Sequence, residues 1–214
     1  MTPLAIALGI GGALLGFIAD RWATRWPEHD EEHPAGRAVD WRTVVCAAVG
    51  GVAFGLLPGR FATDGLAVVL FGAWFVAMIV GLATDLDQRL LPNAVTLPVI
   101  PAALAYALTG LDPLVGRDLI PALLAAAIIP AVLYLPSIPF GAGAFGLGDV
   151  KFLAGMGLMV GGERGLGGTV VGLLLAGVVL LVLLVTRRIG RRSYVPFGPF
   201  LIFGALWGIF VRVQ

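Results

Sequence analysis

Eight apolar stretches joined by short polar connections fill most of this chain, and they decide the solvent in which it folds. They fall at roughly 3–19, 43–58, 65–84, 94–110, 118–135, 149–162, 165–186 and 196–212. A bilayer-spanning helix needs about 20 apolar residues, with a range of roughly 17–25. In lipid the backbone must satisfy its own hydrogen bonds, which helices do segment by segment. Only 13% of the 214 residues are charged and the mean hydropathy is +0.98. Soluble domains carry roughly 25% charged residues, so this chain has too little polar surface to cover itself in water. The expected fold is all-α, a polytopic membrane helix bundle of about eight transmembrane helices. It reads as one integral-membrane domain over 1–214 with a short polar loop at 20–42, and its first partner is the lipid bilayer. The net charge of +1 gives no support to a nucleic-acid partner. The single cysteine, Cys46, excludes an internal disulfide and a cysteine-built zinc site, and it reads as a small buried apolar residue. The 31 glycines and 14 prolines suit packed membrane helices. Gly155 with Gly157, or Gly168 with Gly172, would let helices approach closely as ordinary small-residue packing.

The basic residues set the orientation. Arg21 and Arg25 follow the first span instead of preceding it, so that span reads as an uncleaved anchor with the N-terminus outside. With eight spans, Arg21, Arg25, Arg37, Arg42, Arg89, Lys151, Arg187, Arg188, Arg191 and Arg192 then lie at the cytoplasmic side. Arg60, Arg117, Arg164 and Arg212 lie opposite, a division of ten against four that the reverse orientation would turn against the rule. The loops 20–42, 85–93, 136–148 and 187–195 are cytoplasmic in this arrangement.

Loop 20–42 holds His29-Asp30-Glu31-Glu32-His33. Two histidines four apart on a helix could share a metal, but a zincin needs Glu directly after the first His, where this chain has Asp30, and no third ligand is evident. The segment reads as a solvated charged loop, and neither metal nor cofactor is expected.

Ionisable groups at membrane depth are candidates for function. Two acidic clusters sit at span ends. The first is Thr84-Asp85-Leu86-Asp87-Gln88-Arg89-Leu90-Leu91-Pro92-Asn93, which by itself reads as a polar connection with proline at a helix start. The second is Phe145-Gly146-Leu147-Gly148-Asp149-Val150-Lys151, in which Asp149 by itself reads as an N-cap. Gly141, Gly143 and Gly146 also satisfy G-x-G-x-x-G, but a dinucleotide site needs a βαβ unit that a lipid-bound helical chain does not form. Taken together, both clusters fall at the same membrane face. Two carboxylates brought close share a proton, and such a pair can hold a water with one member as base and the other as acid, and so attack an amide. Gly146 and Gly148 would let backbone approach an extended substrate.

The Gly-x-Gly-Asp segment at 146–149 resembles that of the GxGD intramembrane aspartyl proteases, and the wider pattern resembles the type IV prepilin peptidase family. Asp85, Asp87, Pro92 and Asn93 match that family's Asp-x-Asp-x-x-x-x-Pro-Asp/Asn motif. Gly146, Gly148, Asp149 and Lys151 match Gly-x-Gly-Asp-x-Lys, and Pro196-Phe197-Gly198-Pro199 matches a late motif. Gly12 to Pro27 is similar to the family's first helix and following turn. The resemblance implies that Asp85 and Asp149 are catalytic and that Asp87 and Lys151 support them. It implies cleavage of the leader of type IV prepilins or pseudopilins at the cytoplasmic face of a bacterial inner membrane. Many members carry two cysteine pairs in the first cytoplasmic loop, associated with zinc and with N-methylation of the new N-terminus. Loop 20–42 has no cysteine, so the resemblance carries the peptidase and withdraws support from methylation. Asn93 in place of the commoner Asp is a smaller departure. Two other readings compete: a non-catalytic membrane scaffold of a pilus or secretion system, and an aspartate-dependent transporter. Transport carboxylates lie near the bilayer midplane, whereas both of these lie at span ends.

Overall fold

The computed structural model describes residues 2–31, 33–140, 145–190 and 195–211. Glu32, Gly141, Gly143, Arg191, Arg192 and Arg212, which entered the sequence reading, lie outside the described residues. Eight α-helices are described, one at each expected place: α1 Pro3–Ala23, α2 Trp41–Phe61, α3 Gly65–Gln88, α4 Asn93–Thr109, α5 Leu119–Tyr134, α6 Leu147–Val160, α7 Gly162–Val185 and α8 Gly198–Phe210. A 3-10 turn, Leu135–Phe140, follows α5. The fold class is the all-helical membrane architecture that the apolar stretches called for. Five helical segments, Pro3–Ala23, Trp41–Phe61, Gly65–Gln88, Leu119–Pro139 and Gly162–Val185, are long and apolar enough to cross a membrane. The other three helices are about 20–26 Å long at 1.5 Å per residue, against a hydrocarbon core about 30 Å thick. Apolar side chains lie exposed along whole helix faces, such as Ile10, Leu14 and Ile18 on α1 and Leu174, Val178 and Val185 on α7. That inversion of the soluble pattern suits a hydrocarbon solvent.

The chain forms two compact units, 1–99 and 100–214. Their division falls inside α4 between Pro98 and Pro101, two residues that remove backbone donors from the helix.

In the first unit α1, α2 and α3 pack together. Each helix is started by a side chain: Thr2 Oγ1 accepts from the Ala5 N–H, Asp40 and Thr43 form a reciprocal capping box, and Asp64 Oδ1 accepts from the Ala67 N–H at 2.9 Å. Gly12 and Gly16 of α1 lie directly on the backbone of α2. A Cβ at Gly12 would run into the Gly50 carbonyl and come 2.7 Å from Phe54 Cβ, and one at Gly16 would run into the Cys46 carbonyl. Small residues four apart allow this approach in lipid, where dispersion and not water exclusion holds helices together. Phe61 stacks on Phe71 with ring centroids 4.5 Å apart, and Phe71, Phe75, Leu57 and Leu82 are fully buried.

In the second unit α5 to α8 pack together. Gly157 of α6 lies on the backbone of Ala125 and Ala126 in α5, while Gly168 and Gly172 of α7 lie on the Gly204 and Phe200 carbonyls of α8. Of the small residues singled out in the sequence, Gly157, Gly168 and Gly172 thus serve helix packing. Arg164 Nη1 donates to the Gly208 carbonyl (3.0 Å) and the Val211 carbonyl (2.6 Å), closing the end of α8.

Candidate active site

The third helix runs one turn further than its apolar pattern. It was expected to end at 84, with 85–93 as a loop, but α3 continues to Gln88 and carries both Asp85 and Asp87 in its last turn. Arg89 stops it in the left-handed conformation (φ 57°), its N–H donating to the Asp85 carbonyl at 2.9 Å. Pro92 and Asn93 then start α4: the Pro92 carbonyl accepts from the N–H groups of Val95 and Thr96, each at 3.0 Å. Thr84 turns its hydroxyl back onto the Val80 and Gly81 carbonyls. Asp85 is 4% exposed and Asp87 7%. Two residues on a helix lie about 200° apart, so these two carboxylates leave α3 on opposite sides.

Asp87 faces the loop that joins α1 to α2. Its Oδ1 accepts from Arg37 Nε at 2.8 Å and from Arg42 Nη1 at 3.3 Å, and its Oδ2 lies 3.1 Å from His29 Nε2. The Gln88 amide donates to the Pro27 carbonyl at 3.2 Å. Arg37 continues the network. Its Nη2 donates to Asp20 Oδ1 at 2.6 Å and its Nη1 to Asp40 Oδ1 at 2.5 Å. Asp20 is wholly buried and also accepts from Thr43 Oγ1 (2.6 Å) and from Arg21. Burial alone would lower the Arg37 pKa, but the bonds to Asp87 and Asp20 outweigh it and raise the value, so the guanidinium keeps its charge.

This corrects the reading of 20–42 as a solvated loop in two ways. Residues 20–23 are the last turn of α1, and the connection 24–40 is tied down onto the end of α3. The two histidines separate: the His29 side chain, 6% exposed, meets Asp87, while His33 pairs with Asp30 at the surface. The sequence reading singled out neither Asp20 nor Arg37 as a site residue. Asp20 is an acidic residue at the end of an apolar run, a signal the sequence does hold. Its pairing with Arg37, and that of Arg37 with Asp87 fifty residues away, needs the fold.

In the second unit, Asp149 stands in the first turn of α6. It is not the N-cap that the sequence suggested. Gly146 holds that place, the helix starts at Leu147, and Asp149 is its third residue, where a negative group is favoured by the free N–H groups of the helix start. Gly148 belongs to the helix, not to the loop before it. A Cβ at Gly146 would come 3.3 Å from Asp149 Oδ2, so only a hydrogen there leaves that oxygen uncrowded. Lys151 is two residues on, about 200° around the helix by its period. The late Pro196-Phe197-Gly198-Pro199 motif starts α8, and Phe197 meets Phe145 edge to face at 5.8 Å. Two motifs far apart in sequence thus meet at the entrance to α6.

Each unit therefore places one aspartate at a helix end: Asp85 with its neighbour Asp87 anchored, and Asp149 in the first turn of α6. Such groups are suited to proton transfer to and from a bound water.

A model of the type IV leader peptidase family matches residues 70–186, more than half of the chain and a span that includes both clusters. A prepilin leader peptidase/N-methyltransferase of Burkholderia pseudomallei is 29% identical over 163 residues, covering 76% of this chain and 52% of the relative. Proteins of the same description from Dickeya chrysanthemi (28% over 184 residues, 85% and 64%) and Aeromonas salmonicida (28% over 165 residues, 73% and 53%) are similar. The chain spans about half the length of the first of these relatives. No solved structure matches it.

Proposed function

The chain belongs to the type IV leader peptidase family, and on that premise we propose that it is a membrane aspartyl endopeptidase cleaving the leader of type IV prepilins or pseudopilins. The observation that carries this reading is that the family match covers both aspartate motifs, Asp85-x-Asp87 and Gly146-x-Gly148-Asp149. Asp85 and Asp149 are the catalytic pair. One carboxylate takes a proton from water as the water oxygen adds to the scissile carbonyl. The other, protonated, gives its proton to the departing amine. Two carboxylates sharing one proton titrate as a pair, so the acid and base roles belong to the pair.

The remaining motif residues support the dyad. Asp87 anchors the α3 end, and Pro92 with Asn93 begins α4. Gly146 and Gly148 keep the Asp149 side of the site open to an extended substrate backbone, and Lys151 engages an acidic group of the substrate. The two compact units act as one peptidase domain over 1–214. The ten-to-four division of basic residues supports an inner-membrane protein with its N-terminus outside and its active site at the cytoplasmic face. N-methylation is not part of the proposal, because the α1–α2 connection has no cysteine. Co-expression with a prepilin tests the reading. The wild type shortens the prepilin, while Asp85→Ala and Asp149→Ala each leave it full length although the protein still inserts. Processing by either variant at the wild-type rate would sink the dyad.

A further inference from the structure

The α1–α2 connection, 24–40, carries none of the motif aspartates, yet it is bound to the helix that presents Asp85. One guanidinium ties that helix to two others at once. Arg37 uses three separate nitrogens on three carboxylates from three places in the chain: Nε on Asp87 of α3, Nη2 on Asp20 of α1 and Nη1 on Asp40, the N-cap of α2. Arginine's planar fork allows this and a lysine's single ammonium does not. Asp20 is fully buried and the Asp87 side chain is 5% exposed, so both contacts are shielded from water. Among the described residues of the connection, His29 on Asp87 and the Pro27 carbonyl under the Gln88 amide are further ties to the end of α3, but neither reaches α1 or the start of α2.

We propose that Arg37 is a positioning residue for the peptidase site: it locks the last turn of α3 to α1 and to the start of α2, and so fixes where Asp85 points. Asp87 is the intermediary. It leaves α3 about 200° from Asp85, so Arg37 draws on the far side of the helix and touches no substrate. The bond from the Arg89 N–H to the Asp85 carbonyl lies in the same turn, so a turn released at Asp87 frays through Asp85. A misplacement of about 1 Å at a catalytic group can cost about 10²-fold in rate.

This inference rests on the peptidase reading, and its test uses two readouts that separate the two. The full chain is compared in lipid nanodiscs as wild type, Arg37→Lys, Asp87→Asn and the double variant. Arg37→Lys keeps a cation beside buried Asp20, so the fold is preserved. Hydrogen exchange over residues 84–90 reads the clamp without any substrate. Cleavage of a purified prepilin reads kcat and KM. Exchange in that turn is expected to accelerate about tenfold or more in each single variant, with α7 unchanged. kcat is expected to fall about 10–100-fold while KM stays within about twofold. The double variant is expected to lose clearly less than the sum of the two single losses, since both remove the Arg37–Asp87 bond. Wild-type kcat in Arg37→Lys, unchanged exchange, or additive losses in the double variant would each overturn the positioning role. A wild-type protein that cleaves no prepilin would overturn the peptidase reading instead, while the exchange data would still decide the clamp.

Discussion

Gly12 and its neighbour Gly11 offer a matched pair of substitutions in one helix. A Cβ at Gly11 meets nothing within 4 Å, whereas one at Gly12 comes 2.7 Å from Phe54 Cβ, roughly 0.7 Å inside the ordinary contact distance of 3.4 Å, and runs into the Gly50 carbonyl. Gly50 is backbone within a helix and cannot rotate away, so α1 and α2 must part. A gap of about 0.5–1 Å forfeits a quarter to a half of each dispersion well of about 0.1–0.2 kcal/mol. Over some tens of atom pairs along the interface this comes to about 1–3 kcal/mol, within the usual range for overpacking. Alanine regains up to about 1 kcal/mol of helix propensity at either site. Gly12→Ala should therefore be destabilised by about 1–2 kcal/mol and Gly11→Ala be unchanged or stabilised by up to about 1 kcal/mol. For a chain of this size that difference is several degrees in Tm. Thermal unfolding of the two purified variants in one detergent measures it. Equal melting temperatures would refute the close approach of α1 and α2.

Asp20→Asn removes the buried charge that receives Arg37, Arg21 and Thr43; it should cost about 3–5 kcal/mol and show as loss of accumulated protein in the membrane fraction. His29→Ala should loosen the 24–40 connection to limited proteolysis, because the imidazole sits between Asp87 and Gln88. His33→Ala, at the surface, should change stability by less than about 0.5 kcal/mol; a metal-dependent melting temperature lost in both variants would contradict this division. Gly146→Ala places a methyl 3.3 Å from Asp149 Oδ2 and should lower prepilin cleavage about tenfold or more with the fold intact, as assayed by leader release beside a melting curve.

Much of the fold is legible in the amino-acid order because lipid makes a strict demand. Apolar runs of spanning length have few alternatives to helix, and all eight stretches became helices. Their ends were less legible. The apolar pattern of α1 stops before Asp20 and that of α3 before Asp85, yet both helices run a turn further, since the charged residues there find partners across the connection. A hydropathy pattern registers the charge and not the partner. For the same reason the 24–40 connection reads as solvated: Arg37 and Asp87 are fifty residues apart, and no local spacing marks them as a pair. The motif aspartates were legible by their neighbours. Asp149 nevertheless turned out to be the third residue of α6 instead of its cap, because Gly146, two residues upstream of Gly148, takes the cap. Gly12, Gly16 and Gly50 were passed over among 31 glycines, since the sequence does not say which face of a helix meets another.

The claim on which the account turns is that Asp85 and Asp149 act together on one peptide bond. The direct measurement is leader release from a purified prepilin by the full chain in nanodiscs, followed by mass spectrometry, for wild type, Asp85→Asn and Asp149→Asn. The account predicts cleavage by the wild type and a fall of about 10³-fold or more in kcat for each asparagine variant, with melting temperatures unchanged. Cleavage within about tenfold of wild type by either variant would contradict it.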